Sequence, residues 1–198
     1  MTDPTRVEVA LGPDWASKFH LTEISQKKLE AALGLFDKEI EKSTNEMLNE
    51  HGVLLRTIFI SFDEDMKADL AIVGLEDANS PDYKHAYART LDMVVEKERP
   101  QFVIQSAEAW MASVASIEDY DRSVRVSDHP DKVEVVVNTM FCNLYGTALS
   151  LSSSRRVYRN KSTGLPEEIA PLKIYETHRK ENDRGTLASF VDLLPPIS

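Results

Sequence analysis

The chain has 198 residues, of which 42 % are hydrophobic and 28 % charged, with a formal net charge of −10. These values are ordinary for a globular protein with a buried core, and no stretch approaches the roughly 18–20 apolar residues of a membrane span. One cysteine, Cys142, excludes an internal disulfide framework, and the first residues lack a basic-then-apolar signal peptide. We therefore expect a cytoplasmic protein without a membrane partner.

The negative charge is unevenly distributed. Residues 1–100 carry 12 Lys+Arg against 20 Asp+Glu, a balance of −8, whereas residues 101–198 carry 11 against 13, a balance of −2. This balance argues against general nucleic-acid binding, because affinity for phosphate backbones depends on clustered cations.

An irregular arm at residues 1–21 precedes a predicted long helix. Apolar side chains recur at spacings of 4, 3, 4 and 7, which is typical of one buried helical stripe. The stripe consists of Leu29, Leu33, Phe36, Ile40 and Met47. Thr22 is the expected N-cap, and Gly52 the expected left-handed residue after the helix.

Residues 54–62 are β-branched and aromatic and predict a strand, which a polar turn joins to a second strand at 68–75. Such a short connection favours an antiparallel hairpin. Ser80, Pro81 and Asp82 have the composition of a helix start, and Pro100 ends that second helix. Its predicted apolar stripe is Tyr83, Tyr87, Leu91 and Val94.

Three more strands are predicted at residues 101–111, 132–140 and 147–159. The order α-β-β-α-β-β-β predicts an α+β fold, with a single, largely antiparallel sheet of about five strands and both helices on one face. We expect residues 22–160 to form the core domain. Residues 161–198, which contain four prolines, are expected to form a C-terminal tail that either docks on the core or binds a partner.

Glu108 is the first candidate site residue. In an alternating strand it shares a face with Phe102, Ile104, Ser106 and Trp110, so it lies either at a solvated sheet end or buried with a partner. If it is buried, desolvation raises its pKa, which suits a general acid. The alternative is a structural carboxylate bonded to the backbone or to an arginine.

His129 and Asp131 are the second candidate pair. Ser127-Asp128-His129-Pro130-Asp131 has the composition of a turn that starts a strand. In the functional interpretation His129 is a proton carrier or a metal ligand near Glu108, and Asp131 supplies a second carboxylate. In the alternative, both residues only build the turn.

Arg155, Arg156 and Arg159 lie close together with no acid among them. Guanidinium groups match phosphate oxygens, so one hypothesis is an anion-binding site. The alternative is neutralisation of the acidic half of the chain, or pairing with Glu108 and Glu134.

Motifs for cofactors and metals are missing from the sequence. The histidines stand singly, and no H-x-x-x-H, C-x-x-C, P-loop, dinucleotide-binding or nucleophile-elbow pattern occurs. We therefore predict no metal and no cofactor. Cys142 is expected to be a small buried hydrophobe, and Trp110 a packing anchor.

One resemblance rests on Ser106-Ala107-Glu108-Ala109-Trp110, on the segment 127–131, on the valine-rich strand that follows and on Arg156. This pattern resembles a family of small uncharacterised bacterial and phage proteins with an EAW motif and an HPD(R/K)xE motif. The likeness covers roughly residues 54–160, and Ala107 and Lys132 fit it loosely. It implies an α+β core and a phage or mobile-element context, and no activity.

Two main hypotheses about function follow, and whether the protein is an enzyme stays open. The first is an accessory protein that acts by protein–protein binding, through a partner or through self-association. The alternative is a hydrolase or nucleotide-processing enzyme that uses Glu108, His129 and Asp131, with an arginine on an anion. A third class, nucleic-acid binding, would depend on the basic residues of the last strand.

Overall fold

The computed structural model describes residues 21–53, 55–75, 81–112, 124–144, 147–172 and 194–197. Of the predicted arm at 1–21, residues 1–20 lie outside these ranges, and so does the predicted cap Ser80. The two helices are α1 (Glu23–Asn49) and α2 (Pro81–Glu98). The strands are β1 (Leu55–Phe62), β2 (Ala68–Leu75), β3 (Phe102–Ala112), β4 (Lys132–Leu144), β5 (Thr147–Arg159) and β6 (Pro166–Pro171).

The six strands form one open sheet in the order β2-β1-β3-β4-β5-β6, and all neighbours are antiparallel. The α+β class and the antiparallel sheet are confirmed, but the sheet has six strands rather than about five. The additional strand, β6, lies at residues that were expected in the tail. β6 was not predicted from the sequence because it has proline at both ends and contains two glutamates, and these residues are rare in strands except at sheet edges.

The helices lie on opposite faces of the sheet, so the prediction of both helices on one face was wrong. Phe59 and Val103 share a core with α2, whereas the next residues along the chain, Ile60 and Ile104, share a core with α1. Successive strand residues point to opposite faces, and β1 and β3 are apolar on both. Each face therefore needs a helix to cover it.

The ends of α1 depend on local contacts. Thr22 is the N-cap as predicted, and its Oγ1 accepts a hydrogen bond from the backbone N–H of Ser25 at 3.1 Å. After the helix, His51 rather than Gly52 adopts the left-handed conformation, with φ at 66°. Gly52 instead lies at a close approach, because an added Cβ would be 3.0 Å from Oε1 of Glu108 and would oblige that side chain to shift.

The last described segment lies beside the end of β4. The backbone N–H of Ile197 donates to the carbonyl of Asn143 at 2.9 Å, and Nδ2 of Asn143 donates to the carbonyl of Leu194 at 3.0 Å. Ile197 is buried in the α1 core and Leu194 in the α2 core. Residues 194–197 therefore close the core at this end of the sheet.

Neither described helix has the combination of length and apolar composition that crossing a bilayer requires.

Candidate functional site

Glu108 holds the segment after α1 against β3. Its Oε1 accepts a hydrogen bond from the backbone N–H of Val53 at 2.5 Å, and its side chain is exposed. Ser106, on the same face, donates to Glu39 of α1 at 2.7 Å. The observed contact of Glu108 is the one expected of a structural carboxylate bonded to backbone.

His129 and Asp131 lie in the turn between a 3₁₀ segment, Val126–Asp128, and β4. Nδ1 of His129 accepts a hydrogen bond from the backbone N–H of Asp131 at 3.1 Å, and its carbonyl accepts from the N–H of Lys132 at 3.2 Å. Asp131 is exposed. These contacts shape the turn, as the structural alternative requires.

The strand register separates Glu108 from His129. Glu108 is paired with Val136, and the last pair of the ladder joins Ala112 to Lys132. Glu108 therefore lies four residues inside the strand end, about 13 Å at about 3.3 Å per residue. His129 lies in the turn that precedes β4. Among the described hydrogen bonds of Glu108 and His129, none joins the two side chains, so their convergence on one site stays a prediction.

Metal binding is the other role considered for these side chains. Within the described ranges, no group of three or more His, Cys, Asp or Glu side chains is arranged to hold an ion.

The three arginines of β5 diverge. Arg155 is buried beneath α1, whereas Arg156 is exposed, with its guanidinium carbon 4.9 Å from the ring centroid of Tyr158. Arg159 forks onto Glu134, with Nε 2.6 Å from Oε2 and Nη2 2.5 Å from Oε1. Hydrogen bonding to Glu134 raises the pKa of Arg159. The pairing of Arg159 with Glu134 is the contact expected if these arginines neutralise acidic side chains of the chain.

A buried polar row crosses the sheet under α1, and the sequence patterns did not predict it. Its first half centres on Arg56 of β1, which donates through Nε to Oε1 of Glu39 at 2.6 Å and through Nη1 to Oε2 of Glu46 at 2.5 Å. Burial opposes the charge of Arg56, but hydrogen bonds to Glu46 and Glu39 outweigh it and raise its pKa. Ser106 of β3 adds a third donor to Glu39.

The second half of this polar row reaches β5. Asn138 of β4 donates through Nδ2 to Oγ of Ser106 at 2.8 Å, and its Oδ1 accepts from Ser43 at 3.1 Å and also from Arg155. Arg155 further donates to Ser43 Oγ at 2.9 Å and to the carbonyl of Ile40 at 2.7 Å. Burial lowers the pKa of Arg155 to about 10.

The polar row is a structural element because its members are closed off from solvent. Glu39, Ser43, Ser106, Asn138 and Arg155 are all buried, and most of their polar groups bind one another. Within the described part of the chain, Nε of Arg155 is buried without a hydrogen-bond partner. Buried polar groups that bind one another contribute to a unique packing of helix on sheet. One signal was in the sequence, since Glu39, Ser43 and Glu46 fall in register with the apolar stripe of α1.

The two edges of the sheet differ in their protection. β6 is bounded by Pro166 and Pro171 and exposes Glu167 and Glu168. Proline and charge are common devices that keep an edge from pairing with another chain. The outer edge of β6 is therefore protected against pairing with another chain.

β2 has fewer of these devices. Its eight residues, ADLAIVGL, contain no proline, no lysine and no arginine, and Asp69 is its one charged residue. Leu70 is 47 % exposed and Ile72 is 61 % exposed, and both lie on the face that α1 covers elsewhere. Among the described residues, β1 alone pairs with β2. An open edge with exposed apolar side chains is the surface where strand pairing with another chain is expected.

Comparisons with known proteins found no match: no protein family, no curated protein and no solved structure resembles the chain significantly. The resemblance to bacterial and phage proteins therefore stays a prediction.

Proposed function

We propose that this protein acts by binding another polypeptide, which adds a strand to the free edge of β2. The observation that carries the proposal is the exposure of Leu70 and Ile72 on an edge strand that has no proline and no basic residue. The proposal includes the cytoplasmic location expected from the sequence, and it leaves both a heterologous partner and self-association as occupants. A catalytic role for Glu108, His129 and Asp131 has no such support, because their described contacts are with backbone groups.

Strand addition suits this edge for two reasons. The unpaired N–H and C=O groups of an edge strand supply main-chain hydrogen bonds to an incoming segment, and these provide affinity without a dedicated pocket. Two exposed apolar side chains at alternate positions then select apolar residues at alternate positions of the partner, since side chains opposite each other in a ladder share a face.

The test uses a fluorescent eight-residue peptide in which isoleucine alternates with threonine, together with a copy that is N-methylated at alternate amides. We expect the wild-type chain to bind the first peptide in fluorescence anisotropy. N-methylation should abolish binding, because a methylated amide cannot donate to a strand edge.

Two variants locate the binding surface. Ile72→Lys places a positive charge on the edge, a device found on natural edge strands, and should weaken binding at least about tenfold. Leu165→Lys is the matched control, because Leu165 is 44 % exposed and precedes β6 at the far edge of the sheet. Equal binding by the Ile72→Lys variant and the wild type would refute the proposal.

A further inference from the structure

Acidic side chains surround the start of β2. Asp63, Glu64, Asp65 and Asp69 are all exposed, and Lys67 is the only cation among residues 63–69. None of the four carboxylates forms an ion pair with the described residues. One oxygen of Asp63 accepts the backbone N–H groups of Asp65 and Lys67, at 3.0 and 2.8 Å, which holds the turn in shape. The free edge therefore carries a fixed local excess of three negative charges.

The charges and the apolar side chains occupy different faces of β2. Asp69 alternates with Leu70 along the strand, so it points to the face that α2 covers, whereas Leu70 and Ile72 point to the face that α1 covers. A partner strand that pairs with this edge is offered apolar contact on one face. On the other face, and beside the turn, it is offered carboxylates.

From this arrangement we infer that the occupant of the β2 edge is an extended segment in which apolar residues alternate with lysine or arginine. The inference rests on the proposed function and names its partner class. The apolar residues pack on Leu70 and Ile72, and the basic residues face Asp69 and the acidic turn. Opposite charges across a strand pair stabilise pairing, and complementary charge also speeds the encounter.

A second copy of this chain is a poorer occupant on the grounds of charge. Each copy carries a net charge of −10 and presents the same acidic turn at the same edge. β2 contains no lysine or arginine, so a second β2 strand offers Asp69 and the acidic turn no cation. Two chains that each carry a net charge of −10 also repel one another as they approach.

The experiment compares three peptides with the same isoleucine frame, in which the alternating residue is lysine, threonine or glutamate. At low salt we expect the wild-type chain to bind the lysine peptide about tenfold more tightly than the glutamate peptide, from about twofold for each of several exposed charges. Raising the salt from about 0.05 M to about 0.5 M should remove most of this preference, because exposed charges are screened.

A charge reversal localises the effect. Asp69→Lys should weaken binding of the lysine peptide about two- to fivefold and strengthen binding of the glutamate peptide by a similar factor. Glu168→Lys makes the same change in charge on β6, at the opposite edge, and should leave the preference within about twofold. Preservation of the full preference in the Asp69→Lys variant would contradict the inference.

The outcomes separate the inference from the proposed function. If all three peptides bind equally and Ile72→Lys abolishes binding of each, the edge binds strands but the basic partner is refuted. If light scattering shows a dimer that Ile72→Lys dissociates, the occupant is a second copy, and the basic partner is again refuted. If no peptide binds and the chain is monomeric, both ideas fail.

Discussion

The ion pair between Arg56 and Glu39 should be strongly coupled, because both side chains are only 5 % exposed. Replacing Glu39 with leucine leaves the Nε donor of Arg56 and the hydroxyl of Ser106 without their acceptor, while the charge of Arg56 stays buried beside Glu46 alone. Breaking a buried pair in this way typically costs about 3–5 kcal/mol of stability. We expect the same range for Arg56→Met, which leaves a buried carboxylate without its cation.

The double variant Glu39→Leu/Arg56→Met should be far more stable than the sum of the two single losses predicts. The charges of Glu39 and Arg56 are both gone, and the unmet hydroxyl of Ser106 costs about 1–2 kcal/mol. Glu46 also loses Arg56, but its side chain is 16 % exposed and keeps Lys42 at 3.8 Å. The coupling free energy from the four proteins should therefore be about 3 kcal/mol or more. Urea unfolding followed by circular dichroism measures each free energy of unfolding, and equal slopes across the four proteins validate the comparison.

The pair formed by Glu134 and Arg159 is the matched control. It is also an arginine–glutamate pair joined through Nε, but its side chains are 12 % and 36 % exposed. Solvent screening should limit its coupling to about 1 kcal/mol or less. If the buried cycle is additive, or if the two cycles give equal coupling, the assignment of the polar row as a structural element is wrong.

Three further predictions concern single positions. Burial raises the pKa of Cys142 from 9.0 to about 12, so the native protein should not react with a thiol reagent at a pH below 9 and should react fully in urea. As the pH rises above 9.0, the thiol ionises in the unfolded chain before it ionises in the native protein, so the free energy of unfolding should fall by up to about 1.4 kcal/mol per pH unit. Cys142→Ala should remove this slope. Rapid labelling of the native protein would contradict the prediction. Ile197→Ala should cost about 2–5 kcal/mol in thermal or urea unfolding because Ile197 is fully buried, whereas Ala at the exposed Pro196 should cost little. Gly52→Ala should cost about 1–2 kcal/mol by displacing Glu108 from the N–H of Val53, and a cost that persists in a Glu108→Ala background would refute that cause.

The sequence predicted the positions of the local elements well, but not every buried side chain. Tyr83, predicted in the apolar stripe of α2, and Trp110, predicted as a packing anchor, are 56 % and 45 % exposed. The hydrophobic spacing of α1 and the cap at Thr22 indicated where that helix begins and which stripe it buries. Apolar and β-branched runs located β1 and β3, and β4 was correctly predicted to begin at Lys132. These features depend on residues that are close in the chain, so periodicity and capping chemistry are sufficient to indicate them.

The candidate site was harder to predict because its residues are distant in the chain. Glu108 and His129 were both considered at strand ends, but strand register places Glu108 inside β3, opposite Val136 and four residues from the strand end. The polar row depends on the meeting of Glu39, Arg56 and Asn138, which are separated by 17 to almost 100 residues. No pattern in a single sequence records such a meeting.

Composition and periodicity were enough to establish an acidic α+β protein with two amphipathic helices and an antiparallel sheet. Only the tertiary structure determined three further features. These are the side of the sheet on which each helix lies, the partner of each buried charge and the strand that is left at an open edge. The physical reason is that β1 and β3 are apolar on both faces, so local chemistry permits either face to receive a helix. Packing of the whole chain selects one arrangement, and that arrangement leaves Leu70 and Ile72 exposed.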